Sequence, residues 1–319
     1  MGKMEAIEYK YFAPENRKKN NQRDFISSHL FNYVKMFTLS FLGRNLYLFP
    51  KRKILFNYDI LIFEHALSNI FIYFLAFFGT KPYILWGHGK TYSHLAFSHV
   101  ETLRRIILKR SSGYFVYTVE GAKYLESLGY PRSQIQILNN STDVVGLQKA
   151  VNKVSRGEIR NFLNKNKIPD SAFRGTFLGT LTREKGIEML LPVAKKVQKI
   201  IPDFQILVFG NGPNVTEIDN LEMRNNGIFY NGIGDISKTA LLPFISKFLF
   251  IPKGIGLVAV DSFALGLPIL TNKDDNYAPE FAYLEPEENC ITCEYSVEKF
   301  ASKIASFFNL KRDFFAVSV

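Results

Sequence analysis

Pro252-Lys253-Gly254-Ile255-Gly256-Leu257-Val258-Ala259-Val260-Asp261-Ser262-Phe263-Ala264-Leu265-Gly266-Leu267-Pro268 is the stretch that decides how the chain is read. Before it runs Phe248-Leu249-Phe250-Ile251, short and wholly apolar, the pattern of a strand buried on both faces. The glycines 254 and 256 make a turn, and helical spacing follows over 257–265. Gly266-Leu267-Pro268 ends that helix, and the apolar run over 268–271 begins the next strand. A strand, a glycine turn and a helix N-terminus in this order place backbone N–H groups where an anion can sit.

Working outward, the same alternation recurs on both sides. Downstream of 171 the spacing predicts strands at 174–179, 204–209, 228–230, 248–251 and 268–271. Helices are predicted between and after them at 186–200, 214–223, 237–246, 257–265 and 296–308. Upstream, strands are predicted at 59–63, 82–86, 114–118 and 135–138, with helices at 65–78, 94–110 and 120–128. Phe25, Ile26, Leu30, Phe31, Val34, Phe37 and Phe41 have helical spacing. The segment 143–171 is polar and weakly patterned, and the domain boundary is placed there, giving domains 1–167 and 168–319. The expected fold class is α/β: two Rossmann-like, doubly wound parallel-sheet domains facing each other across a ligand cleft.

Totals narrow the partners. In 319 residues, 40 Lys+Arg against 29 Asp+Glu leave a formal charge of +11, which favours an anionic ligand or surface. The basic residues are dispersed and no nucleic-acid-binding motif occurs, so no nucleic-acid partner is expected. Residues 1–25 are polar and charged, unlike a signal peptide, with Asn16–Asn20 read as an exposed loop. The apolar run 70–78 is too short to cross a bilayer. The two cysteines, Cys290 and Cys293, lack a second ligand pair, so their spacing is read as structural in a reducing compartment. Asp274-Asp275 is read as a turn, and no metal and no cofactor are expected.

Several residues have the types needed to hold an anionic sugar compound. Lys185, at a strand–helix turn before Gly186, is placed to meet a phosphate; a solvated turn is the equal alternative. Gly210-Asn211-Gly212-Pro213 is a second glycine turn, unspecific by itself. His88, between Gly87 and Gly89 at a strand end, is a candidate for the reacting centre, although isolated histidines are ordinarily structural. Asp261 and Glu280 alone would pass for surface carboxylates; with Lys185 and the glycine turns they form a set able to accept from sugar hydroxyls.

In order along the chain, Glu184-Lys185-Gly186, Gly210-Asn211-Gly212-Pro213, Gly256-Leu257 with Asp261, Gly266 and Pro268, and Pro279-Glu280 resemble the donor domain of retaining glycosyltransferase family 4, of the GT-B fold. The resemblance covers about residues 175–295 and extends more weakly to Trp86-Gly87-His88-Gly89, to 117–123 and to 139–143. It implies a nucleotide-sugar donor in the C-terminal domain and a glycan or lipid-linked acceptor in the N-terminal one. By this resemblance Lys185 contacts the donor diphosphate, Asp261 the ribose, and His88 the transferred sugar, giving the candidate catalytic set. Gly87, Asn140, Arg183, Gly210, Gly212, Lys253, Gly254, Gly256, Leu257 and Glu280 are the candidate substrate-binding residues.

Two departures stand out. Lys253 occupies the first position of the family's E-x7-E pattern, and Thr180 stands where an arginine is usual, with Arg183 nearby as a substitute charge. Lys253 leaves an acidic sugar, diphosphate binding and weakened activity open. The family implies transfer with retention, the leaving diphosphate helping to deprotonate the acceptor, and a role in surface-polysaccharide synthesis. The basic, amphipathic segment 94–110 is read as either packed on its sheet or bound to anionic lipid, the second suiting a cytoplasmic protein on the inner membrane face. The rival function is a non-catalytic sugar-nucleotide-binding subunit. A closing helix that crosses back to the first domain is expected to be short or missing.

Overall fold

The computed structural model describes strands 11–14, 31–34, 37–41 and 44–48, and residues 58–66, 70–79, 81–89, 98–232, 235–273 and 279–316. The expectations for Asn16–Asn20, for 67–69 and 94–97 within two helices, and for Asp274-Asp275 lie outside these residues. The chain divides into two compact units, 1–138 and 139–319.

In the first unit, β1 (Tyr11–Pro14) pairs in parallel with β2 (Phe31–Val34), and β3 (Phe37–Phe41) pairs antiparallel with β4 (Arg44–Leu48). The helix expected across Phe25–Phe41 is therefore wrong over 31–34 and 37–41, and its remaining positions lie outside the described residues. Phe37-Thr38-Leu39-Ser40-Phe41 alternates apolar and polar, the period of a strand, and its aromatic side chains suit a pleated surface better than a helix. The main sheet of this unit is parallel and runs in chain order: β5 (Leu61–Glu64), β6 (Tyr83–Gly87), β7 (Gly113–Val116) and β8 (Ile135–Ile137). Helices Ile70–Phe78, Ser98–Arg110 and Val119–Ser127 connect its strands. Leu85, Tyr114, Val116, Ile107 and Leu125 form the buried centre.

The second unit opens with helices Val144–Val151 and Arg156–Lys165, inside the segment read from sequence as polar and weakly patterned. Their ends were legible even so: Asp143 caps the first, and Ser155 with Glu158 forms a capping box on the second. The sheet contains β9 (Arg174–Leu178), β10 (Gln205–Phe209), β11 (Ile228–Tyr230), β12 (Phe248–Phe250), β13 (Ile269–Asn272) and β14 (Cys290–Cys293), all parallel. Its order is β11-β10-β9-β12-β13-β14. Renumbered from β9, this is the 3-2-1-4-5-6 order of a doubly wound nucleotide-binding sheet, whose ligand crevice lies at the carboxyl ends of the two central strands, β9 and β12 here.

The strands are apolar because both faces are covered. Phe177, Phe209, Phe248, Phe250 and Phe300 are fully buried, and full burial of such a side chain stabilises by about 1.5–3 kcal/mol. Departures from the expected helices follow local chemistry. The helix expected over 186–200 is two 3-10 turns, Arg183–Lys185 and Ile187–Met189, then an α-helix over Leu190–Gln198; Pro192 sits in its first turn, where no intrahelical N–H is needed. The segment 237–246 is split into Ile236–Thr239 and Leu242–Ile245, with Pro243 in the first turn of the second piece. The cysteines lie on β14, an edge strand the sequence reading did not identify. Both thiols are free and buried, and burial raises their pKa values, that of Cys293 to about 11, which suppresses the reactive thiolate.

Candidate functional site

The residues after β9 and after β12 come together as the strand order requires. Beyond β9 the chain turns through Arg183–Lys185 to Gly186, which is left-handed with φ 75°. Beyond β12, Gly254 adopts φ 69°, and a side chain there would bring a Cβ within 2.5 Å of the Glu184 carbonyl oxygen. Only glycine satisfies both conditions without moving the opposing turn. Lys185 Nζ donates to the Gly254 carbonyl, and a Cβ on Gly256 would lie 3.6 Å from the same nitrogen. An ammonium, a glycine-lined backbone and the first turn of helix Val258–Leu265 thus meet at one point.

Asp261 lies in the first turn of that helix and accepts from Thr142 Oγ1 at 2.9 Å. Glu280, in the turn Pro279–Tyr283, is 3% exposed and accepts from Asn140 Nδ2 at 2.6 Å. The Asn140 backbone N–H donates to Tyr283 Oη at 2.8 Å. Asn140, assigned to the first domain from sequence, belongs to the second unit. Its segment ties the two carboxylates into one hydrogen-bonded edge. Thr142 and Tyr283 were not singled out by sequence reasoning. The polar run Asn139–Asp143 at a strand end was the only signal for the first, and nothing marked the second.

Gly210 and Gly212 work through the backbone. A Cβ on Gly210 would collide with the Gly179 carbonyl, and one on Gly212 with the Leu181 carbonyl. The Leu181 N–H donates to the Asn211 carbonyl at 2.9 Å, and the Asn214 N–H to the Leu181 carbonyl at 3.2 Å. This second glycine turn braces the loop that carries Lys185.

Both remaining cations are paired. Arg183 bonds Glu217 at 3.2 Å with its side chain 69% exposed, an ion pair worth at most about 1 kcal/mol and easily exchanged. Lys253 Nζ lies 3.0 Å from Glu188 Oε1 and 5.0 Å above the Tyr295 ring, whose hydroxyl donates to the same carboxylate at 2.6 Å. Burial alone would raise the Glu188 pKa; the hydrogen bonds from Tyr295 and Lys253 outweigh it and hold it below 4.5. A lowered folded-state pKa contributes stability above 4.5 that is lost as pH falls through the folded value. Glu188→Gln is therefore expected to flatten the acid limb of a Tm-against-pH curve measured between pH 6 and pH 3. Neither Glu188 nor Tyr295 has a motif; both were missed by sequence reasoning.

In the first unit, Gly87 ends β6 and His88 follows it, exposed, with its ring edge-on to Tyr117 at 4.9 Å between centroids. Among the described residues no group of three or more His, Cys, Asp or Glu side chains is placed to hold a metal ion. No described helix is long and apolar enough to cross a membrane. In helix Ser98–Arg110 the Ile107 and Leu108 side chains are buried, and Arg105, Ile106, Lys109 and Arg110 are exposed.

Solved structures share this fold at low identity. A glycosyltransferase from Rickettsia africae is 16% identical with a TM-score of 0.66, over 88% of this chain and 75% of that one. HepE of Anabaena, solved in complex with UDP, is 16% identical with a TM-score of 0.61, over 81% and 71%. Sucrose-phosphate synthase of Thermosynechococcus elongatus is 15% identical with a TM-score of 0.60, over 91% and 85%. These likenesses support the α/β, GT-B fold class. No curated protein matches the sequence. Residues 158–313, just under half of the chain and including Lys185, Lys253, Asp261 and Glu280, match the family model for glycosyl transferases group 1.

Proposed function

We propose that the protein is a glycosyltransferase that binds a nucleotide-sugar donor in its second unit and transfers the sugar, with retention, to a glycan or lipid-linked acceptor. One observation carries this: Lys185 and the Gly254–Gly256 turn meet at the carboxyl ends of β9 and β12, inside the region matching glycosyl transferases group 1. A diphosphate there receives an ammonium, backbone amides and a helix N-terminus together. Those same groups stabilise the charge that develops on the leaving diphosphate, commonly the largest catalytic contribution. The leaving phosphate oxygen then takes the acceptor's proton on the face it departs from. Asp261 and Glu280 offer carboxylate oxygens to ribose and sugar hydroxyls, Asn140 and Thr142 holding them in place. The UDP bound in the Anabaena HepE structure makes UDP-sugars the first donors to try.

Surface-polysaccharide synthesis, a cytoplasmic location and peripheral attachment to the inner membrane face belong to the same proposal. Exposed Arg105, Lys109 and Arg110 supply the charge for anionic lipid. Liposome sedimentation tests the attachment: binding should depend on anionic lipid and fall with salt. Release of free nucleoside diphosphate on adding a lipid-linked acceptor tests the transfer. In that assay His88→Ala is expected to lower turnover at least tenfold while leaving Tm within about 2 °C, because the exposed ring contributes little to the core. The rival reading, a non-catalytic sugar-nucleotide-binding subunit, is favoured by Lys253, whose charge is engaged by Glu188. It requires saturable donor binding with no turnover on any acceptor.

A further inference from the structure

A small cavity inside the first unit is lined by His65, Gly89, Arg104 and Arg105, with Leu108 and Leu125 as its apolar wall. Its volume, about 10 Å³, is close to the least that accommodates one water-sized group. Two nitrogens of these residues, His65 Nε2 and Arg104 Nε, are buried without a hydrogen-bond partner among the described residues. They belong to residues the donor site does not use.

The surrounding hydrogen bonds show what both nitrogens offer. Tyr114 is fully buried, and its hydroxyl accepts from the Gly89 N–H and lies 3.1 Å from His65 Nδ1. Among the described residues His65 Nδ1 is the acceptor within reach of the Tyr114 proton, and a hydroxyl that donates there leaves the imidazole proton on Nε2. Burial, with the Arg104 charge adding to it, lowers the His65 pKa to about 3, so the ring is neutral at pH 7. The Arg104 guanidinium carries a proton on Nε and is a donor only. Two unsatisfied N–H donors thus line one cavity, one of them on a cation that makes no ion pair among the described residues. A buried N–H left in that state is costly, and an acceptor carrying negative charge relieves both deficits at once. The exposed side chain of Arg105 carries the positive field from the cavity to solvent.

We propose that this cavity is an oxyanion subsite: His65 Nε2–H and Arg104 Nε–H receive one oxygen of a phosphate or carboxylate group, and Arg105 meets the remainder outside. The space fits one oxygen and not a whole phosphate, which is why the rest of the group must stay at the Arg105 side. A free ion and a larger phosphorylated or carboxylated molecule present the same group, and the chemistry recognised is the same. The subsite is separate from the donor-binding reading and stands or falls without it.

The test uses the full chain, labelled at its five histidines, in an NMR titration with inorganic phosphate and, separately, acetate at constant ionic strength held with sodium chloride. His65 is assigned by loss of its signal in His65→Gln. The expected result is a saturable shift of the His65 ring resonances, at least tenfold weaker in Arg104→Gln and about threefold weaker in Arg105→Gln. Tighter binding of phosphate assigns the subsite to phosphoryl groups, and tighter binding of acetate assigns it to carboxylates; either supports the proposal. A linear, unsaturable shift overturns it, as does an unchanged titration in Arg104→Gln. Should Arg104→Gln fail to fold, Arg105→Gln, an exposed position, decides: an unchanged midpoint there overturns the proposal.

Discussion

Lys185→Ala is expected to weaken nucleotide-sugar binding by roughly 30-fold or more, the effect of about 2 kcal/mol for removing one member of a desolvated charge pair. The basis is the position of Nζ, held by the Gly254 carbonyl at the meeting point of the two central turns. A lysine kept there only to brace the loop would give a different pattern. Its removal would cost about 1 kcal/mol of stability for one lost hydrogen bond, with donor affinity nearly unchanged. Isothermal titration of the folded variant separates the two, and Lys185→Arg serves as the partial rescue, since it restores charge with different geometry.

Gly210→Ala is expected to produce the largest loss of stability, about 3 kcal/mol, seen as a fall in Tm of roughly 6–12 °C. The added methyl meets the Gly179 carbonyl, which cannot yield because the Gly179 N–H is bound to the Phe209 carbonyl at 3.0 Å and the Gly210 N–H to the Gly232 carbonyl at 2.8 Å. Relief requires the two loops to separate, and with them the turn that carries Lys185. Gly157→Ala is the control. Its nearest atom, Ser155 Oγ, is 3.8 Å away, and in helix Arg156–Lys165 alanine should stabilise by about 0.5–1 kcal/mol. Thermal denaturation of both variants checks the contrast.

Much of this second unit was legible because buried parallel strands announce themselves. Within β10 and β12, 206–209 and 248–250 are continuous apolar runs, and glycine turns at their ends mark where helices begin. Long-range pairing left no such mark. Nothing near Asn140 in sequence signals Glu280, and nothing near Lys253 signals Glu188 or Tyr295, because those partners are brought together by the sheet and not by spacing. Lys253, the residue that made the sugar side of the site hardest to read, has its charge engaged by Glu188 and Tyr295 in the structure. The failure at Phe25–Phe41 was of another kind. Aromatic residues dense enough to fit either period were read with the longer one, and the shorter one was correct for Phe37–Phe41.

The central claim is that the turns after β9 and β12 form a nucleotide-sugar site. Titration calorimetry of the full chain against UDP-, GDP-, dTDP- and CMP-sugars tests it most directly. The expected result is one donor that binds saturably with 1:1 stoichiometry, loses roughly 30-fold or more in affinity in Lys185→Ala, and is weakened in Asp261→Ala. Saturable binding of no donor, or binding that both variants leave unaltered, would contradict the claim.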